Sequence, residues 1–329
     1  MDPNLSPKAH LALLVDGYQA TQLLFVAVDL GLDEKLADGP RTAAELAAET
    51  GVDPTTLYRV LRGLASFGVL EEPDAERFAL SAVGENLRAY RGLLLARGEV
   101  YYGAFGKLRD AVRGGGNAFE LAYEGRRFFE YLNDFPEKTA AFQQSMSDRS
   151  SQEAAQVVAA YDFGRFRRLI DIAGGRGVLI SAIAKANPSL ATALFDQPSV
   201  AGDTVELPEN CETIAGNFFA EVPAGADGYI ISRVIHDWGD EEAVRILANT
   251  RKAMPTDGTL LLVEALLPEK AAAAPAAVRM DVNMLAMFSG KERTRAEFAD
   301  LLGVAGFRLT RVIPVDESVG LNLLEAHPG

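Results

Sequence analysis

The sequence is short of the residues on which many specialised sites depend. Its 329 residues include one cysteine, Cys211, and three histidines, His10, His236 and His327. A single thiol excludes a disulfide framework and any cysteine-rich zinc site, and three scattered imidazoles give no basis for a histidine-rich one. No metal ion is expected. Basic charge is scarce as well: 32 Lys and Arg stand against 46 Asp and Glu, a net charge of −14. A surface of that sign repels phosphate backbones and anionic lipid, so neither nucleic acid nor membrane is expected as a partner. The first residues are polar, and no apolar run approaches the ~18 residues of a membrane span. The chain reads as cytoplasmic.

What is present describes a globular protein, with 48% apolar and 24% charged residues. The length exceeds the ~250–300 residues at which one core stops growing, and two domains are expected, 1–98 and 99–329. Leu11 to Leu32 places Leu14, Tyr18, Phe25, Val28 and Leu32 at helical spacing, with Gly31 as the stop. With no charge between Gln19 and Val28, this helix suits a buried or subunit-packed position. Thr42 and Glu45 form a capping box that opens a helix ending at Gly51. Asp53-Pro54 opens a second helix through Leu64. Val69–Glu72 and Phe78–Leu80 then read as the strands of a wing, completing a winged-helix outline.

A winged helix can read DNA through its second helix, which here offers only Arg59 and Arg62. Residues 41–90 hold 5 basic and 8 acidic side chains, a poor match to phosphate contacts. A structural or dimerisation role fits better. Residues 99–160 are helical and aromatic-rich; core packing is the default meaning of such aromatics, and a substrate lid or linker with some of them lining a pocket for a flat substrate is the other. Beyond Phe163, strands at Arg168–Ala173, Ala191–Asp196, Glu212–Ala215, Gly228–Ser232 and Thr259–Glu264 alternate with helices. Two more follow at Phe307–Pro314 and Gly320–Ala326. This is the pattern of a doubly wound, mostly parallel α/β sheet. The alanine run from Ala271 to Ala277 reads as a loop.

Two motifs carry chemistry. Asp171-Ile-Ala-Gly174-Gly175-Arg176-Gly177 closes the first strand of that sheet, where glycines let a ligand approach the backbone. A dinucleotide fingerprint would need glycine where Ile180 stands, so NAD and FAD are disfavoured. Asp196, closing the second strand, is placed for ribose hydroxyls. Arg233-Val-Ile-His236-Asp237-Trp238-Gly-Asp240-Glu241-Glu242 follows the fourth strand. Asp240 there reads as a helix N-cap, with the two Glu in the first turn. His236 lies at the sheet edge where active sites collect.

Together with Phe195-Asp196-Gln197-Pro198, Gly216-Asn217-Phe218-Phe219, Gly258–Glu264 and Asp281–Thr294, these motifs resemble the S-adenosylmethionine-dependent small-molecule O-methyltransferases. These include the plant caffeate and bacterial polyketide-tailoring types. The resemblance covers nearly the whole chain. It implies a Rossmann-like class I methyltransferase sheet, an N-terminal winged-helix dimerisation domain and a homodimer. It also implies an aromatic or polyketide-like substrate, within antibiotic-forming secondary metabolism.

By the same resemblance Asp171, Gly174, Gly175 and Gly177 hold the methionine end of S-adenosylmethionine. Asp196 takes the ribose with Gln197 beside it, Asn217 and Phe218 flank the adenine, and Ser232 lies near its edge. His236 is the general base, and Glu264 and Glu292 are its acidic partners. Ala173 stands where the family usually has glycine. Met280, Met284 and Met287 share one helical face and are candidates for an apolar substrate wall, with Phe142 and Met146 opposite. Two alternatives remain: a same-fold enzyme adapted to hydroxylation, decarboxylation or cyclisation, and a winged-helix DNA-binding regulator.

Overall fold

The computed structural model describes residues 6–202 and 204–329. The chain divides into two compact units. One takes the residues up to Gly103 together with Phe135–Asp148, and the other takes Ala104–Asp134 and Arg149–Gly329.

The first unit begins with α1 (Pro7–Val15) and α2 (Gly17–Asp29). The continuous helix expected from Leu11 is thus broken at Asp16, where weak helix formers Asp16 and Gly17 adjoin, and the two pieces bend by 49°. Gly31 adopts a left-handed φ of 66° and opens the short turn Leu32–Lys35 rather than simply ending a helix. No single helix among the described residues is long and apolar enough to cross a membrane.

β1 (Arg41–Thr42) leads into α3 (Ala43–Thr50), whose capping box forms between Thr42 and Glu45. α4 (Pro54–Ser66) starts at the Asp53 cap and buries Leu57, Leu61 and Leu64. β2 (Leu70–Asp74) and β3 (Arg77–Leu80) form the wing, and β1 joins it to give the order β1-β3-β2. Leu46, Leu61, Leu64 and Phe78, all fully buried, centre this core. Each such side chain contributes roughly 1.5–3 kcal/mol by leaving water. α1 buries nothing and leaves Leu11, Leu13, Leu14 and Val15 exposed.

The second unit is built on seven strands. They are β4 (Arg168–Ile172), β5 (Ala191–Asp196), β6 (Cys211–Ala215), β7 (Gly228–Ser232), β8 (Thr259–Ala265), β9 (Phe307–Asp316) and β10 (Leu321–Pro328). Their order is β6-β5-β4-β7-β8-β10-β9. β4 to β8 pair in parallel, whereas β10 inserts antiparallel between β8 and β9. His327 lies within β10.

Alternation along the strands feeds two cores. Ile170, Ile172, Tyr229, Ile231, Leu260 and Leu262 face one side, and Leu169, Ile230, Leu261 and Val263 face the other. α5 (Val178–Ala186) covers the second face through Leu179 and Ile183. α6 (Asp240–Ala253) and α8 (Arg295–Val304) cover the first through Ile246, Leu247, Phe298 and Leu301. Between them in sequence runs α7 (Pro275–Met287). It begins inside the alanine run expected to be a loop, because Pro275 occupies a first-turn position where its missing N–H costs nothing.

Candidate active site

The parallel strands deliver their carboxyl ends to one edge, and β4 has its two neighbours, β5 and β7, on opposite sides. This is where α/β sheets open a ligand crevice. Asp171, near the end of β4, is fully buried, and neither carboxyl oxygen has a hydrogen-bond partner among the described residues. Burial, reinforced by the neighbouring Asp196, pushes its pKa up to about 7. The following loop is shaped around that carboxyl. A Cβ on Gly174 would stand 2.4 Å from Asp171 Oδ2, closer than any side chain can be accommodated. Ala173, Gly175 and Gly177 all take left-handed φ values, of 56°, 60° and 79°. Ala173 thus adopts the conformation glycine favours, at a cost of about 1–3 kcal/mol.

Asp196, closing β5, accepts the Gly175 N–H at 2.8 Å and the Gln197 N–H at 2.6 Å. It braces the loop while keeping acceptor capacity for a further donor. Gln197 is exposed. Asn217, just past β6, is also exposed, and its side-chain oxygen caps the Phe219 N–H at 2.9 Å. Phe218 packs edge-on against Phe219 and Trp238. Ser232, ending β7, is half-buried. The residues expected to hold a nucleoside therefore lie at the ends of four adjacent strands.

The base candidate follows β7. His236 sits in a 3₁₀ turn, Ile235–Asp237, and is 4% exposed. Its Nδ1 lies 2.9 Å from Glu292 Oε1 and 3.4 Å from Glu264 Oε2, both carboxylates being fully buried. Glu264 comes from β8, and its Oε1 accepts the N–H groups of Val234 and Ile235 at 3.2 and 2.9 Å. Glu292 is steadied by its own N–H, which donates to Asp281 at 3.0 Å. A carboxylate can only accept, so Nδ1 carries the proton and Nε2 is left as the basic nitrogen. Burial lowers the imidazole pKa, but the Glu292, Glu264 and Asp237 carboxylates outweigh it and raise the group to about 9. Asp237, 3.5 Å from Nε2, is itself pushed up to about 7 by burial. Burial also raises Glu264. Donor atoms of His236, Glu264 and Glu292 lie within 4.8 Å of one another, a spacing a cation would tolerate. The imidazole–carboxylate hydrogen bond accounts for that spacing by itself.

Several contributors have no signal in local sequence. Arg233, with a left-handed φ of 56°, forms a mostly buried ion pair at 2.8 Å with Glu153, 80 residues away. Asp237 was legible only as the neighbour of His236. Asp240 is not the N-cap of α6; Gly239 is. Asp240 instead pairs with Arg293, and Glu242 with Arg127. Of the three methionines, Met287 lines a cavity shared with Asp237, Trp238, Phe128, Phe129 and Phe288. Met284 is buried and Met280 half-buried on the same helix. Phe142 and Met146 belong to the first unit, where both are half-buried.

Comparison with known proteins agrees with this fold. Residues 105–308 match the O-methyltransferase domain model, and residues 12–89 match the O-methyltransferase dimerisation domain. The chain belongs to this O-methyltransferase family. A phenazine O-methyltransferase of Lysobacter antibioticus is 39% identical, covering 97% of this chain and 95% of its own. A mitomycin biosynthesis 6-O-methyltransferase of Streptomyces lavendulae is 37% identical over 92% and 89%. The crystal structure of an O-methyltransferase from neocarzinostatin biosynthesis, in complex with S-adenosylmethionine and 2-hydroxy-5-methyl naphthoic acid, superposes with a TM-score of 0.83. That chain is 30% identical, with coverage of 94% and 96%.

The expected class I methyltransferase sheet and helical N-terminal domain are thus both present. The methyltransferase uses S-adenosylmethionine, and the residues in hand fit it. Asp171 presents an unpartnered buried carboxyl suited to an ammonium group, beside a loop that admits only glycine at residue 174.

Proposed function

We propose that this methyltransferase acts on a phenolic or polyketide-like hydroxyl of a small aromatic molecule, with His236 as general base. The observation that carries the reading is the buried Nδ1–Glu292 hydrogen bond of 2.9 Å. It lies just beyond β7, the strand that pairs with the one bearing the glycine loop. Bound there, S-adenosylmethionine supplies an electrophilic methyl group on a sulfonium centre. Asp171 and the Gly174–Gly177 loop hold its methionine end, Asp196 and Gln197 its ribose, and Asn217, Phe218 and Ser232 the adenine side.

The acceptor hydroxyl gives its proton to His236 Nε2 as its oxygen attacks. A phenol titrates near 10, and an imidazole raised to about 9 takes its proton with little uphill cost once neutral, a form whose share grows with pH. Glu292 fixes the tautomer and, with Glu264, stabilises the imidazolium that forms. The aromatic cavity beside Asp237, with Met287 in its wall, suits a flat acceptor. Met280 and Met284 extend the same helix face. The exposed leucines of α1 support a homodimer formed through the first unit. The phenazine and mitomycin relatives support a role in secondary metabolism.

The test is His236→Ala, assayed by mass detection of methylated products across phenols and arylamines. The expected result is a ~10²–10⁴-fold loss of kcat with the affinity for S-adenosylhomocysteine retained. A variant that turns over phenols like the parent removes His236 from the mechanism.

A further inference from the structure

Arg293 is the bulkiest of the fully buried side chains, at 1% exposure. A guanidinium has five N–H donors, and five contacts are made here. Nε and Nη2 donate to Asp240 Oδ1 at 3.1 and 2.7 Å, and Nη2 also donates to the Trp238 carbonyl at 3.0 Å. Nη1 donates to the Ile235 carbonyl at 3.1 Å and, at 3.4 Å, to that of Lys291. Ile235 and Trp238 bracket His236, so one cation grips the histidine turn from both sides. The Arg293 backbone meanwhile bridges to Leu266, and its carbonyl accepts the Leu267 N–H at 3.0 Å, just beyond the strand that carries Glu264. Its neighbour in sequence is Glu292.

All three segments of the base cluster therefore meet at one residue. The preceding chain reinforces this contact. A Cβ on Gly290 would fall 2.0 Å from the His236 carbonyl and 2.4 Å from the Trp238 nitrogen. The 290–293 segment thus lies directly on the histidine turn.

We propose that Arg293 is a positioning residue that sets the separation between the His236 imidazole and the Glu264 and Glu292 carboxylates. This rests on the reading of His236 as the base. Arg293 touches no reacting atom and acts only through the turn it holds. Lysine, with three donors on a compact ammonium, cannot reproduce the five-point grip.

The experiment uses the full chain carrying Arg293→Lys, Arg293→Ala and Asp240→Ala. Misplacement of a catalytic group by about 1 Å costs on the order of 10²-fold in rate, so Arg293→Lys is expected to lose kcat on that scale. Its KM for S-adenosylmethionine should stay within about twofold. Methylguanidinium added to Arg293→Ala should restore at least about tenfold of the lost kcat. In both variants the His236 imidazole, followed by NMR, should titrate closer to the ordinary histidine value as Glu292 drifts away.

If Arg293→Ala does not fold, Asp240→Ala carries the test. Asp240 is 61% exposed, and its removal deletes two of the five contacts; about a tenfold loss of kcat with cofactor affinity intact is expected. Unchanged kcat in Arg293→Lys or Asp240→Ala overturns the proposal. So does a loss of kcat that parallels lost S-adenosylhomocysteine binding while the imidazole titrates as in the parent. The NMR titration needs no turnover, so it separates failure of this proposal from failure of the base reading, which His236→Ala tests.

Discussion

Glu292→Gln preserves side-chain volume and removes one charge from the most crowded part of the site. His236, ordinarily near 6.5, stands at about 9, a difference of about 3 kcal/mol between its two protonation states. Burial works against that rise, so the carboxylates supply more than the net amount. Glu292 is the nearest, at 2.9 Å against 3.4 Å for Glu264 and 3.5 Å for Asp237. Two unit charges at that separation interact by roughly 6 kcal/mol at an effective dielectric constant of 20, more than the whole net difference. The variant imidazole should therefore titrate at least about one pH unit lower. Only neutral imidazole accepts a proton, so kcat/KM of the parent rises with pH through the His236 pKa. In Glu292→Gln the same rise should occur at lower pH, onto a plateau reduced about 10²-fold because the imidazolium formed in the transition state has lost its counter-charge. The assay is initial-rate methyl transfer between pH 6 and 10 with the phenol held well below its KM. A rising limb that stays in place refutes the argument that Glu292 sets the basicity of His236.

Asp171 stands at about 7 because it is buried, and only its charged form attracts an ammonium. The affinity for S-adenosylmethionine should increase as pH rises from 6 to 8, and Asp171→Asn should bind more weakly with that dependence gone; calorimetry at several pH values decides. Gly174→Ala sets a methyl group 2.4 Å from Asp171 Oδ2 and should weaken cofactor binding about 10²-fold, so an unchanged dissociation constant would contradict the glycine cradle. Thr42→Ala removes the hydroxyl that accepts the Glu45 N–H at 3.2 Å. It should lower stability by about 1 kcal/mol in urea denaturation, with kcat untouched.

Much of the second unit was legible because strand alternation and glycine placement are local signals. β5 and β7 occupy the residues that the pattern assigned to them. The caps at Thr42 and Asp53 were equally readable, since each is a short-range hydrogen-bond motif. The break between α1 and α2 was not, because apolar spacing continues across a bend that backbone propensity decides. Nor could Asp240 be placed correctly. Its carboxylate suits an N-cap, yet Arg293, 53 residues later, claims it. The same limit hid Arg233–Glu153: a pair separated by 80 residues leaves no trace in local pattern. Assigning His236, Glu264 and Glu292 to one cluster needed a family resemblance, because the turn, strand and loop that carry them meet only in the folded chain.

The insertion of β10 between β8 and β9 also bears on how the protein is made. Every residue of β8 is buried, and Asn322 of β10 stands opposite Glu264 in the ladder. On the ribosome β8 emerges roughly fifty residues before β10, an interval of several seconds at typical synthesis rates. During that time one flank of an apolar strand has no neighbour, an open template for pairing with another nascent chain. Yield in expression should therefore respond to temperature and chaperone supply more than the finished enzyme's stability suggests. The acidic partner of the base takes its final place only when residues 321–328 have been threaded into the middle of the sheet.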